Sequence, residues 1–526
     1  MSSISSITKA VTGLTAAQKG LQVTGHNISN TNTKGYTRQQ LLQSDSSYLT
    51  IGKSGGYSMQ VGLGVTCDEI RQIRDSLADK RLRTENSVLN YYQTLNTVST
   101  DIESMFDEPY GSTISDFLND FWSQTQKLSA TPDGVEERMS FISTAKVLMD
   151  KINEVSNSLT DYQFKLNGNI QTSVNRINEI TKEIRNLNEK IAISEVNGDN
   201  ANDYRDQRNL LLDELSTYGK ISYYEEPSGR VQVQFEGHEI VNHGFDINLE
   251  LTDIPGSPFS KVTWSDTKGE VFDLENVSSS SYDNDSGALK GLLLARGENV
   301  VTKDTTWNEI ALNDNMSVDV EGNAYVIPKI QKMLNEFTNE LVTTVNEALT
   351  GTGIGNHQGK DGVQVFVPII EGTGLVAGNI QVNPELLEDG GYNKLGTVAK
   401  AADGSNSNAE NVGDNSIIKD LLSDWGTTKR WFSDGGVTSP HAKTVTMSTF
   451  FSELVTDIGS NGAVYSAKAI EKSTSVNNIE NERAAMGGVS TDEEFSNMLK
   501  YQYAYNASAR MITMLDGMLD TIINKM

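Results

Sequence analysis

His238 and His243 stand five residues apart in ISYYEEPSGRVQVQFEGHEIVNHG, residues 221–244. Two imidazoles could share a metal ion, but five apart in a regular strand they point to opposite faces. His26, His357 and His441 are scattered. Asp283 and Asp285, in DNDSG, are spaced as in a calcium loop, without the Glu that such a loop needs at its twelfth position. GKSGG, residues 52–56, lacks the spacing of a phosphate loop. Cys67 is the single cysteine, so an intramolecular disulfide and a cysteine zinc site are excluded. In the strand-like run GLGVTCDEI it suits the role of a small buried hydrophobe. No nucleophile stands near a base and an orienting partner. The expectation is a protein with no catalytic residues, no metal and no cofactor.

Charge narrows the partners. The 526 residues carry a net charge of −27. Such a surface repels phosphate, which argues against nucleic acid and against anionic membranes. Eighteen consecutive apolar residues occur nowhere, so no membrane insertion is expected. MSSISSITKAVTGL has no basic segment followed by an apolar run, which predicts either a cytoplasmic protein or export without a cleaved signal peptide.

The patterning predicts long helices. Ile4, Ile7, Val11, Leu14, Leu21 and Ile28 recur at spacings of three and four, with Gln18 and Gly25 in register. This is a narrow coiled-coil-like seam that needs a partner helix. At the other end, Met498, Tyr505, Ile512, Leu519 and Met526 fall seven apart, and Tyr501, Ser508, Leu515 and Ile522 fill the intervening positions. Two seams without local partners predict that the termini pack on each other or on neighbouring subunits. Between about 77 and 217, Val88, Tyr91, Leu95, Val98, Ile102 and Met105 form one seam. Ile170, Ile177, Ile180, Ile184, Leu187 and Ile191 form another. Thr131-Pro132-Asp133-Gly134 marks a turn between two shorter helical runs. Together these predict a long antiparallel bundle. From about Lys220 the texture turns to alternating strand-like pieces with Gly, Asn, Asp and Ser, interrupted by one helix from about Ile327 to Leu349. Helical patterning returns at about Thr444.

The expected fold is therefore mainly α with an inserted β-rich domain: paired terminal helices, a long antiparallel bundle and an outer β domain. The expected division is 1–54 with 491–526 for the terminal helices, 55–222 with 442–490 for the bundle, and 223–441 for the insert.

The stretch GHNISNTNTKGYTRQ, residues 25–39, ends the first helix with a long polar run. Ser, Asn and Thr there can bond their own backbone, and Gly35 can take a positive φ. It resembles the N-terminal signature of the flagellar rod, hook and hook-associated proteins, of general form N-N-I-x-N-x-N-T-x-G-Y. Asn27, Ile28, Asn30, Asn32, Thr33, Gly35 and Tyr36 match. His26 stands where Asn is common, and Arg38 and Gln39 are typical of a hook-associated member. NDYRDQRNLLLDELS, residues 202–216, and the C-terminal segment from Gly488 to Asn524 resemble further segments of that family. The insert offers no such match.

The resemblance implies a structural subunit that assembles through its terminal helices into a ring between hook and filament. It implies these partners: copies of itself, the hook protein, a second junction protein, and an export chaperone on the C-terminal helix. It implies an extracellular place on the bacterial flagellum, reached by type III export. Alternatives are a hook or distal rod protein, a filament subunit, a peptidoglycan-cleaving enzyme housed in the insert, or a surface adhesin carried by it.

Overall fold

In a computed structural model the chain is mainly helical, with long helices and small, separate sheets. The structure describes residues 2–54, 57–106, 113–196, 198, 200–274, 285–310, 325–351, 353–372, 374–399, 413–434 and 437–525. Gly55, Gly56 and Asp283 of the two loop motifs set aside above lie outside them, as does Met526 of the C-terminal pattern.

The elements run in this order. Helix α1 (Ser2–Ser29) leads to strands β1 (Gln39–Asp45), β2 (Tyr48–Ser54), β3 (Tyr57–Gly62) and β4 (Val65–Gln72). Helices α2 (Ser76–Phe106), α3 (Ile114–Ala130), α4 (Val135–Glu195) and α5 (Asn202–Tyr218) follow. Next come β5 (Ile221–Glu225), β6 (Val231–Phe235), β7 (His238–Val241), β8 (Leu249–Asp253), β9 (Ser260–Trp264), α6 (Ala288–Arg296) and α7 (Val326–Thr350). Short pieces β10 (Ile354–Gly355), β11 (Phe366–Pro368), β12 (Ile380–Val382), α8 (Pro384–Leu387) and β13 (Val398–Ala399) precede α9 (Ser416–Trp425). The chain ends with β14 (Lys429–Asp434), β15 (Val437–Val445), α10 (Met447–Gly487) and α11 (Thr491–Lys525).

Local chemistry accounts for the helix ends. Thr113 and Asp116 form a capping box at α3: Thr113 Oγ1 accepts from Asp116 N at 3.2 Å, and the Asp116 carboxylate accepts from Thr113 N at 2.9 Å. The isoleucine seam of α4 is buried throughout, with Ile170, Ile177, Ile180, Ile184 and Ile191 at 1% exposure or less.

The chain divides into two compact units; three of the four cuts fall inside α2, α4 and α10, and the fourth just before β8. The first comprises 1–89, 176–248 and 471–526; the second comprises 90–175 and 249–470. The first differs from a division by sequence texture in holding the three-stranded sheet β5-β6-β7 together with both chain ends. Asn188 of α4 and Arg208 of α5 explain this, since both bond the backbone around β6 and its preceding turn.

The second unit corrects the picture of a β-rich insert. Its strands pair in isolated two-stranded ladders, and its core is largely helical. One face and more of α7 is buried, from Ile327 through Phe337 to Leu349. Phe121, Phe141, Phe366 and Trp425 pack ring to ring, and Trp431 stacks on Phe450 at 4.0 Å. A two-stranded ladder cannot bury both faces by itself, so the helices cover it. α6 and α9 are further helices in the stretch whose texture suggested strand-like pieces interrupted by one helix.

Among the described residues, no group of three metal-binding side chains occurs. His243 Nδ1 instead sits 3.3 Å from Glu226. Among these residues no helix is long and apolar enough to cross a membrane.

Candidate functional site

The helix exit after α1 satisfies itself. Asn30 donates from its backbone N and from Nδ2 to His26 O, at 3.1 and 3.0 Å. Thr31 Oγ1 donates to Ile28 O at 2.9 Å, and Thr33 N donates to Asn30 O at 2.9 Å. Gly35 takes φ +82°, and a Cβ there would stand 3.4 Å from Leu210 Cβ on α5. A side chain at that position would be strained by the backbone alone. Asn32 is exposed on the turn.

Asn27 is the centre of the cluster, 1% exposed. Its Nδ2 donates to Gln39 O at 2.9 Å and to Glu494 Oε2 at 3.1 Å. Its Oδ1 accepts from Gln39 N at 3.0 Å and from Tyr36 OH at 2.7 Å. That is the full complement of an amide side chain. The Tyr36 proton is committed to Asn27, so His26 Nδ1, 3.0 Å from the same oxygen, is the donor to it. Burial, aided by Asp203, Asp206 and Glu494, pushes the Tyr36 phenol well above its ordinary pKa.

Arg38 reaches the other chain end. Its Nε donates to Glu494 Oε1 at 2.8 Å and its Nη1 to Glu493 Oε2 at 2.9 Å. Its backbone N donates to Gly487 O at 2.9 Å. Glu493 and Glu494 lie in the first turn of α11, where the helix dipole favours carboxylates.

The segment at 202–216 joins the same cluster. Asp206 Oδ2 accepts from Thr37 N at 3.1 Å, and Asp203 accepts from Gln39 Nε2 at 3.2 Å. Burial pushes the Asp206 carboxyl up to about 6, against the bonds from Thr37 and the charge of Arg74. Arg208 donates to Asn188 Oδ1 at 3.0 Å, to Gly229 O at 2.6 Å and to Glu225 at 3.0 Å; burial pushes it down to about 10. Asp213 binds Arg83 at 2.7 Å and Arg483 at 2.8 Å. Burial pushes Asp213 up, but those two arginines more than offset it and hold the carboxyl below its usual range. The three segments singled out by motif are therefore one hydrogen-bonded body. Glu494 and the Asp206–Asp213 face were not named as site residues from sequence. A signal was present in the acids of the first turn of α11, but the basic partners of Asp213 and Glu494 lie 130 to 456 residues away.

Beyond the cluster, α1 and α11 run antiparallel. Gly13 faces Ser508, Gly20 faces Tyr501 and Asn27 faces Glu494. The face of α1 that is buried is Ala10, Ala16, Ala17, Gly20, Val23, Thr24 and Asn27. This is one position off the bulky stripe. Ile7, Leu14, Leu21 and Ile28 are half-buried, and Val11 is 45% exposed; the side chain of Ile4 lies outside the described residues. The reason is steric. Small residues let two helices approach closely, so the bulky stripe is displaced to the flank. On α11, Met498, Tyr501, Ile512, Leu515 and Leu519 are half-buried, Tyr505 is 37% exposed, and the side chain of Ile522 lies outside the described residues. A second apolar stripe of α11, comprising Phe495, Leu499, Tyr503, Met511, Met514 and Met518, is exposed, each at 51% or more.

The two chain ends thus clasp one another, and their helices present apolar faces to solvent. Residues 99–366 match the model of the flagellar hook-associated protein FlgK helical domain, and residues 485–525 match that of the flagellar basal body rod FlgEFG protein C-terminal. The chain belongs to the FlgK family of flagellar hook-associated proteins. It is 26% identical over 521 residues to flagellar hook-associated protein 1 of Bacillus subtilis (strain 168), covering 98% of this chain and 96% of that one. It is 23% identical over 570 residues to flagellar hook-associated protein 1 of Escherichia coli (strain K12), covering 98% and 99%. Its fold is similar to that of the flagellar hook junction protein FlgK from Burkholderia pseudomallei, with TM-score 0.53, 12% identity, and coverage of 78% of this chain and 100% of that one.

Proposed function

We infer that this chain is a structural subunit of the junction between flagellar hook and filament. The observation that carries this is the clasp of Asn27, Tyr36 and Arg38 with Glu494 and the 202–216 segment, in a chain of the FlgK family. The subunit does no chemistry; it joins neighbours. Its first partner is a further copy of itself in a ring. The hook protein lies on one side and a second junction protein on the other, and an export chaperone holds the C-terminal helix beforehand. The site is extracellular, on the flagellum, and the route is type III export without a cleaved signal peptide.

In the assembled ring, residues 1–54 with 491–526 form an inner tube, 55–222 with 442–490 a second shell, and 223–441 the outer part. The seam of α1 (Ile4, Ile7, Val11, Leu14, Leu21, Ile28) and that of α11 (Met498, Tyr501, Tyr505, Ile512, Leu515, Leu519, Ile522) pack between copies, with the exposed methionines of α11. The family motif (Asn27, Asn30, Asn32, Thr33, Gly35, Tyr36, Arg38) holds the pair in shape. Exposed apolar stripes on a chain of net charge −27 support this, since each buried Leu, Ile or Met contributes roughly 1.5–3 kcal/mol on association. The test is a strain without this chain, viewed by electron microscopy with flagellin assayed in the medium. Hooks without filaments and leaked flagellin support the junction. Missing hooks make the chain a hook or rod protein. Normal flagella overturn the flagellar reading and direct attention to adhesion by the insert.

A further inference from the structure

A seam that repeats every seven residues does not by itself choose a longitudinal register. In α11, Met498, Tyr505, Ile512 and Leu519 repeat at seven, as do Tyr501, Ser508 and Leu515. Sliding the helix by seven residues, about 10 Å at 1.5 Å per residue, replaces one apolar layer by the next. In α1, Gly13 and Gly20 are also seven apart. Something other than the seam must set the register of α1 on α11.

The two helices approach closely at Gly20. A Cβ built there would lie 2.5, 2.6 and 2.7 Å from Cε1, Cδ1 and Cζ of Tyr501. These are atoms of the ring body, which cannot fold aside as a chain end can. The ring thus fills a notch that exists only because residue 20 has no side chain. A slip of one turn would seat the ring against Ala16, Ala17, Val23 or Thr24, all buried on the same face and all bearing a Cβ. A slip of seven would seat it on Gly13, bring Ser508 opposite Ser6 and carry Glu494 to Gly20, away from Asn27 and Arg38.

We propose that Gly20 is a positioning residue: its notch for the Tyr501 ring restricts the terminal pair to two registers, and the bonds of Glu494 to Asn27 and Arg38 select one. The register decides which residues of both helices share the outward face. Its consequence for assembly rests on the junction reading; the register itself is a property of the single chain.

The test uses the full-length monomer at low concentration, with Cys67→Ser to remove the native thiol. In the parent, a Cβ at residue 13 lies 3.2 Å from Ser508 Oγ, within reach of a disulfide between cysteines placed at 13 and 508. The pair Gly13→Cys and Ser508→Cys reports the native register; Ser6→Cys with Ser508→Cys reports the slipped one. Gly20→Val should reduce the native crosslink about tenfold or more, the scale on which overpacking shifts an equilibrium, and raise the slipped one. Adding Tyr501→Ala should restore the native crosslink. An undiminished native crosslink in Gly20→Val overturns the proposal. Loss of both crosslinks also overturns it, since Gly20 would then hold the pair together without choosing between registers. The crosslinks are read without assembly, so failure of the junction reading in cells leaves their outcome distinct.

Discussion

Asn27→Asp replaces a carboxamide by a carboxylate of the same size and tests the clasp directly. The ionised variant cannot donate to Gln39 O, so a buried carbonyl loses its partner, which costs about 1–3 kcal/mol. It also sets a carboxylate where the amide now meets Glu494 at 3.1 Å. At an effective dielectric of about 20 that repulsion is about 5 kcal/mol, and Arg38 at 2.8 Å from Glu494 offsets part of it. Protonation sets a ceiling. Keeping an ordinary aspartate neutral at pH 7.5 costs about 5 kcal/mol, so the loss should lie at about 3–5 kcal/mol. The pH sign follows. The new carboxyl has its folded pKa raised, so its neutral form favours the fold, and the penalty shrinks as pH falls toward 4. Between pH 7.5 and 5.5 the loss should diminish by up to about 2.7 kcal/mol. Urea unfolding at both pH values, with amide exchange at Gln39, measures this. Asn30→Asp is the control, since Asn30 is half-exposed and its side chain donates only within the turn; about 1 kcal/mol or less is expected. A loss under about 1 kcal/mol for Asn27→Asp at pH 7.5, or no change with pH, would refute the account of the clasp.

Asp206→Asn should flatten the pH dependence of stability: the native carboxyl sits at about 6, above its unfolded 3.8, so its favourable protonated state is complete below pH 4 and lost as pH rises through 6, a swing of about 3 kcal/mol in urea midpoints. Gly35→Ala should lower stability by about 1–2 kcal/mol through its positive φ, whereas Gly25→Ala, which meets nothing within 4 Å near the C-terminal end of α1, should raise it slightly; thermal melts compare the two. Met511→Asp with Met514→Asp should leave the melting of the monomer within about 0.5 kcal/mol, since both are exposed, and yet abolish filament attachment when the variant is expressed in the strain lacking this chain.

Helix positions were legible where bulk decides burial. The Ile170–Ile191 seam is buried as its spacing implied, because side chains of that size can leave water only by facing a neighbour. The contact face of α1 was not legible from bulk. Apart from Val23, its buried positions are Ala, Gly, Thr and Asn, which hydropathy ranks below the leucines beside them, and only the regular spacing of Ala10, Gly13, Ala17 and Gly20 marks the face. The core role of α7 was hidden because short alternating strands on either side resemble a β domain until their lack of further strand partners is seen. The clasp was half legible: the motif located Asn27, Tyr36 and Arg38, while Glu494, Asp206 and Asp213 become site residues only once the fold joins segments far apart in sequence.

Small sheets of two or three strands leave open backbone groups at strand ends and edges, and one device recurs to close them. Asn27 of α1 pairs with both backbone groups of Gln39, at 2.9 and 3.0 Å, and Asn188 of α4 does the same to Val231, at 2.8 and 3.1 Å. Asn346 of α7 does so to Phe366, at 2.8 and 3.0 Å, and Asn153 of α4 to Ile380, at 2.6 and 3.4 Å. Each partner is the first residue of its strand: β1, β6, β11 and β12. A primary amide is the side chain that reproduces a peptide group, with donor and acceptor at the spacing that one strand residue presents to a neighbour. A helix carrying such an asparagine therefore acts as one residue of a missing strand, and it fixes where the real strand begins. Hydroxyls are too short to offer both groups, and a carboxylate would meet the strand carbonyl with a second acceptor. This explains how helices can hold small sheets in place without a wider sheet to anchor them. It also makes the motif asparagine at 27 one case of a general rule in this fold: the family signature marks the place where that rule also binds the C-terminal helix.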